Sequence, residues 1–271
     1  DQATESHSQA VFAAAVSSDQ PIVVTVMEVG PNSSPMLFGY NGFTTEHANP
    51  VMPLVQANNW GYTTGIQVMN TGGSARNVTI SFTPSTAGTA CTQTQSVPAG
   101  QSATFALTAW DAGDGNGDNN CVDGETFVGS AEVTDAGTQT LVSIVNQHDF
   151  GGNMGASYGA FSPDQASDTV VMPLIMQDNW GYFTGFNVMN VGTASTTVSC
   201  AFSGSAYTDG ATLAPGEALT SVQYGTALGS GYVGSATCTA SGGDASIIGV
   251  VNETLLGTGQ DTFLVYEAFN N

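Results

Sequence analysis

Lysine is absent from this 271-residue chain, and Arg76 is the only basic side chain besides three histidines. Against it stand 22 Asp and Glu, for a formal net charge of −21. Nucleic acid is excluded as a partner, because phosphates must be neutralised by Lys or Arg. Anionic membrane surfaces are excluded by the same shortage. No apolar run is long enough to span a bilayer, so membrane insertion is not expected. Helical periodicity over any long stretch is missing too. Charged residues make up only 8% of the chain, so Ser, Thr, Asn, Gln and carboxylates must supply solubility. Such a surface suits an extracellular protein and gives proteases specific for Lys or Arg almost nothing to cut. The sequence opens at Asp1 with no signal peptide, which reads as a processed terminus.

Catalytic motifs are equally scarce. His7, His47 and His148 stand far apart in sequence. No nucleophile elbow, zinc-protease helix or phosphate loop is present. A pair of carboxylates across a cleft could hydrolyse a glycoside, but duplication into small modules argues against it. No enzyme is expected, and no cofactor is required.

What the chain does have is short runs of Val, Thr, Ile, Phe and Tyr cut by Gly, Asn, Asp and Ser, the signature of strands and turns. It also repeats itself. Val51–Val55 returns as Val171–Ile175, Asn59–Tyr62 as Asn179–Tyr182, and Val68–Asn70 as Val188–Asn190, all at an offset of 120 residues. Further on, Val128–Ala131 matches Val233–Ala236, Val145-Asn146 matches Val251-Asn252, and Tyr158–Phe161 matches Tyr266–Phe269. The second half of the module occurs a third time, at the start. Val11–Val16 aligns with Val128–Val133, Ile22–Val26 with Leu141–Val145, and Tyr40–Phe43 with the later Tyr-x-x-Phe copies. The chain therefore holds two module bodies and three module tails. Its expected domains are an N-terminal extension over 1–49 and β-sandwich modules over 50–163 and 164–271.

Asn77–Phe82 and Thr197–Phe202 alternate strictly, with Val78, Ile80 and Phe82, or Val198, Cys200 and Phe202, on one face. Gly65–Asn70, Ala103–Leu107, Phe127–Val133 and Leu141–Gln147 read as further strands, and matching turns fall at Pro98–Gly100 and Pro215-Gly216. The fold expected is all-β: two tandem immunoglobulin-like sandwiches with an N-terminal strand extension. Four cysteines in an extracellular-looking chain suggest two disulfides, with three connectivities open. The repeat favours one of them. Cys200 aligns with Ile80 and Cys238 with Val133, so this pair is expected to face across the core and bridge the sheets. Cys91–Cys121 would then close the long loop of the first module.

Three smaller patterns have a functional and a plain reading. Asp114, Asn116, Asp118, Asn120 and Glu125 fall at positions 1, 3, 5, 7 and 12 of a calcium-type loop. The sixth position is Asn119 rather than Gly, no helices flank the loop, and Cys121 lies inside it. The plain reading is a solvated acidic loop. Trp60 with Tyr62, and Trp180 with Tyr182, could stack on sugar rings. The plain reading, favoured here, is a corner whose aromatic side chains cap the core. Asn32, Asn77 and Asn252 fit the N-glycosylation acceptor, which an Asn- and Thr-rich chain also produces by chance.

The first tail has no body before it. Left alone, its segments around Val11, Phe12, Ala14 and Val16, and around Ile22, Val24, Val26, Tyr40 and Phe43, would expose apolar faces and unpaired backbone. A second molecule could cover them, making a head-to-tail contact that propagates as an open filament. The tandem pattern Pro-Leu-x-x-x-x-Asn-Trp-Gly-Tyr-x-Thr-Gly followed by a Val-x-Asn strand resembles immunoglobulin-like repeats of prokaryotic cell-surface proteins, over residues 50–271. Donor-strand pilus subunits are similar in placing a β segment ahead of sandwich domains. The resemblance implies an extracellular, cell-surface or fibre role with self as partner. The alternative is an adhesion module for glycans or other cell-surface proteins.

Overall fold

The computed structural model describes residues 13–30, 35–107, 120–134, 140–149, 151, 153–255 and 260–270. The first strands among the described residues are β1 (Thr25–Val29) and β2 (Leu37–Asn41). Module 1 contains β3 (Val51–Ala57), β4 (Tyr62–Asn70), β5 (Arg76–Ala87), β6 (Cys91–Val97), β7 (Ser102–Phe105), β8 (Phe127–Val133), β9 (Leu141–Asp149) and β10 (Met154–Gly159). A 3-10 turn at Pro163–Gln165 leads into module 2. That module contains β11 (Thr169–Gln177), β12 (Tyr182–Asn190), β13 (Thr196–Phe202), β14 (Thr208–Leu213), β15 (Ala218–Val222), β16 (Tyr232–Ser241), β17 (Ile247–Leu255), β18 (Leu264–Glu267) and β19 (Phe269–Asn270).

Each module is a pair of antiparallel sheets. Module 1 pairs β10-β9-β4-β7 with β3-β8-β5-β6, and module 2 pairs β15-β12-β17-β18 with β14-β13-β16-β11-β19. The alternating strands bury one face as their period requires: Val78, Ile80 and Phe82, and likewise Val198, Cys200 and Phe202, are buried. Proline shapes both modules at the same point. Pro53 and Pro173 have no N–H for the ladder, and the register shifts there, between Met52 and Val55 and between Met172 and Ile175. The shift leaves the backbone of Leu54 and Leu174 outside the ladder. A tyrosine hydroxyl serves both groups in each module. Tyr158 donates to the Leu54 carbonyl at 2.5 Å and accepts from its N–H at 3.3 Å; Tyr266 does the same for Leu174 at 2.6 and 3.3 Å.

The disulfides are Cys91–Cys121 and Cys200–Cys238, which fits an oxidising compartment. The expected bridge between sheets is corrected. Cys200 and Cys238 are directly opposed residues of neighbouring strands in one sheet, and Ile80 and Val133 are opposed in the same way in module 1. An apolar pair conserved in position across two copies can be a cross-strand pair as well as a cross-core pair, and here it is the former.

Module 2 is seated on module 1. Its sheet β15-β12-β17-β18 turns Phe186, Val188 and Val251 inward, while Met189, Ile248 and Val250 join the apolar cluster of module 1. Ser130 donates to the Gly216 carbonyl at 2.5 Å, Ser85 and Thr220 share a hydroxyl bond at 2.7 Å, and the Gln147 and Asn252 amides exchange bonds at 2.9 and 3.0 Å. No helix of the described residues is long and apolar enough to cross a membrane.

Candidate functional site

The N-terminal hairpin is built like the end of a module. Val26 opposes Tyr40 in β1–β2, Val145 opposes Tyr158 in β9–β10, and Val251 opposes Tyr266 in β17–β18. The Tyr40–Phe43 rings stand 6.4 Å apart and the Tyr158–Phe161 rings 6.5 Å. The hairpin also sits on module 1 as a preceding module would. Asn146 donates to Glu28 at 3.3 Å. By the tail alignment this is the counterpart of the bond from Asn252 to Gln147. Phe38 lies across Gly155, where an added Cβ would come within 2.5 Å of its ring. Asp261 accepts from the N–H of Leu37 at 2.8 Å and of Gly155 at 3.1 Å, tying hairpin, module 1 and module 2 together.

What differs is the other edge. β9 pairs with β4, setting Val145 against Ile66, and β17 pairs with β12, setting Val251 against Phe186. Among the described residues β1 pairs only with β2. Ala14, Val16, Ile22, Val23, Met27, Val29, Leu37 and Phe43 are exposed; Val24, Val26 and Tyr40 are half-buried. Burial, with Glu28 nearby, raises the Tyr40 phenol above its ordinary value. The expected strands are corrected here. Residues 13–16 form no strand, and β1 begins at Thr25 instead of Ile22. Among the described residues no strand flanks them as body strands flank their counterparts. Residues 141–143, counterparts of 22–24, pair with β4, and β8 lies between β3 and β5. Val11, Phe12 and Asn32 lie outside the described residues.

The tryptophans are corrected as well. Trp60 and Trp180 are 91% and 90% exposed and cap no core. Each lies in a tight turn closed by Asn59 with Tyr62, or Asn179 with Tyr182, with φ of +54° at both tryptophans. That left-handed conformation points the indole outward and costs about 1–2 kcal/mol for a side-chain-bearing residue. The neighbouring tyrosines do not join them as a platform. Tyr62 is buried against Phe263 at 4.9 Å and bonds Thr254 at 3.3 Å; Tyr182 is half-buried.

Of the calcium-type loop, Asp114, Asn116 and Asp118 lie outside the described residues. Asn120 accepts from the Thr92 N–H at 2.6 Å and Glu125 from Thr89 at 2.8 Å. No group of three or more His, Cys, Asp or Glu that could hold a metal occurs among the described residues. Asn77 is exposed on β5, whereas Asn252 is half-buried and bonded to Gln147. A groove of about 260 Å³ at the module junction is lined by Val51, Glu132, Met189 and Gly216, among others. Burial raises the carboxyls of Glu132, Glu253 and Glu267 above the ordinary range. Glu267 accepts from Gly159 N–H at 3.1 Å.

The sequence reading missed two clamps. Besides the Tyr–Leu pair, buried Asn70 donates to the carbonyls of Ser74 and Val97, and Asn190 to those of Ala194 and Leu213. The repeated Val-Met-Asn and Tyr-x-x-Phe motifs were the signal for both. No protein-family model, curated protein or solved structure matches the chain.

Proposed function

We propose that this chain is a structural subunit of an extracellular filament or pilus, assembled head-to-tail by β-strand complementation through its N-terminal segment. The observation that carries the reading is the hairpin. It has the register of a module tail, yet β1 has no β4-type strand beside it among the described residues. An open β-edge beside exposed Val and Met side chains is a template for strand addition. Both bodies already hold their own tails, so the acceptor is a free sheet edge rather than an empty groove. The prokaryotic surface-repeat resemblance and the two disulfides support an extracellular setting. Deleting residues 1–43 is the test. The full chain sediments as growing linear oligomers and the deletion variant as a monomer; a truncated chain that assembles equally well overturns the proposal.

A second reading rests on the tryptophans. Two outward-pointing indoles in strained turns suit sugar-ring stacking in a cell-surface adhesion module. Glycan-array binding that is lost in Trp180→Ala would promote this reading, and a blank array would remove it.

A further inference from the structure

We infer that the C-terminal face of module 2 docks a second copy of this chain, repeating the junction through which module 1 seats module 2. The inference deepens the filament reading and rests on it.

The argument compares equivalent positions. Val128 shares its strand face with Ser130, which bonds Gly216 of module 2. Val128 is 6% exposed, and its counterpart Val233 is 53% exposed. Phe161 is 4% exposed and its counterpart Phe269 is 65% exposed. Pro53 and Ala156 are buried, while Pro173 and Leu264 at the same positions are exposed. The residue types are retained or larger, and only the cover differs. A face that buries Val, Pro and Phe under a module in one copy presents the same groups uncovered in the other. Exposed apolar patches of this kind mark contact sites.

The same duplication supplies the occupant. Module 2 meets module 1 through the outer face of β15-β12-β17-β18, using Met189 and Ile248. The equivalent face of module 1 is the outer side of β10-β9-β4-β7. Met69 and Val142, counterparts of Met189 and Ile248, are half-exposed there. One chain therefore carries both halves of the junction, at opposite ends of its module order. A heterologous contact between such ends propagates rather than closing on a dimer.

One place is claimed twice. At the internal junction β18 lies against β10, and on module 1 β2 occupies the corresponding place on β10. β18 is hydrogen-bonded to β17 as β2 is to β1, and neither has a ladder to β10. Repeating the junction therefore requires the hairpin to leave Gly155, giving up the Asn146–Glu28 and Leu37–Asp261 bonds, and offers it to the β18 edge of the preceding copy.

The test uses the full chain carrying Val233→Asp and Phe269→Asp, beside the full chain and the chain lacking residues 1–43, in sedimentation velocity across a concentration series. Thermal melts establish that each variant is folded. The inference expects the double variant to melt like the parent and to weaken assembly at least tenfold. A folded double variant that assembles like the parent, while the truncated chain does not, overturns the docking face and leaves the filament reading standing. A parent chain that stays monomeric throughout overturns both.

Discussion

Three tyrosines occupy one repeat position, and substituting each by Phe should give three different losses. Tyr158 serves both backbone groups of Leu54, which the shift at Pro53 has left without ladder partners. Leu54 and Tyr158 are buried beneath module 2, and water has no access to replace the hydroxyl. An unsatisfied buried donor or acceptor costs roughly 1–3 kcal/mol. Tyr158→Phe strands one of each, so a loss of about 2–4 kcal/mol is expected, allowing for partial relaxation. Tyr266 makes the same bonds to Leu174, but both residues are half-exposed. Water can take the hydroxyl's place, and about 0.5–1.5 kcal/mol should be lost, the net value of an ordinary hydrogen bond. Among the described residues Tyr40 makes no equivalent bond to a body strand, so Tyr40→Phe should leave the isolated chain unchanged. Urea unfolding followed by circular dichroism measures all three. Equal losses for Tyr158→Phe and Tyr266→Phe would refute the reasoning, because the cover supplied by module 2 would then be irrelevant.

The remaining predictions concern the disulfide, pH and the turns. Replacing Cys200 with Ile and Cys238 with Val installs the pair that module 1 uses at this register, so the chain should still fold. The lost crosslink should lower stability by about 2–4 kcal/mol, and a chain without cooperative unfolding would contradict the equivalence. Burial raises the carboxyls of Glu132, Glu253 and Glu267, so between the ordinary and raised values the folded chain retains protons that the unfolded chain has released. Their contribution is greatest below the ordinary Glu range, near pH 4.3, and declines as pH rises through the raised values. Asp244, lowered mainly by the Thr193 N–H, works in the opposite sense but is exposed. The melting temperature should fall from pH 5 to pH 7, less steeply in Glu267→Gln; a rise would contradict the assignment. Trp60→Gly and Trp180→Gly remove an exposed side chain at positive φ and should leave stability unchanged or raise it by up to about 1 kcal/mol. A loss above about 1 kcal/mol in thermal melts would mean that the indoles do pack.

Much of the fold was legible because period-2 alternation and duplication carry the same information. Residues 127–133 were bounded correctly as β8, and 77–82 and 197–202 fell within β5 and β13. The cysteine pairing was readable from its alignment with Ile80 and Val133. Its geometry was not, since two inward-facing residues can be neighbours in a sheet or opposites across the core. For Trp60 and Trp180, composition says only where tryptophan usually sits, whereas the left-handed turn decides where these point. The hairpin was legible as a module fragment from Tyr40–Phe43. Its boundaries were not, because Ile22–Val24 has the composition of a strand but, among the described residues, no β4-type partner like the one that pairs with residues 141–143. In the Tyr–Leu clamp the repeated Tyr-x-x-Phe marks one partner, whereas the other is set by a bulge at proline about a hundred positions away.

Electron microscopy of the concentrated, oxidised full-length chain tests the central claim most directly. Unbranched fibres are expected, with an axial repeat of two sandwiches per subunit and every sandwich joined to the next in the manner of modules 1 and 2. A field of single two-module particles, or of closed pairs, would contradict the account.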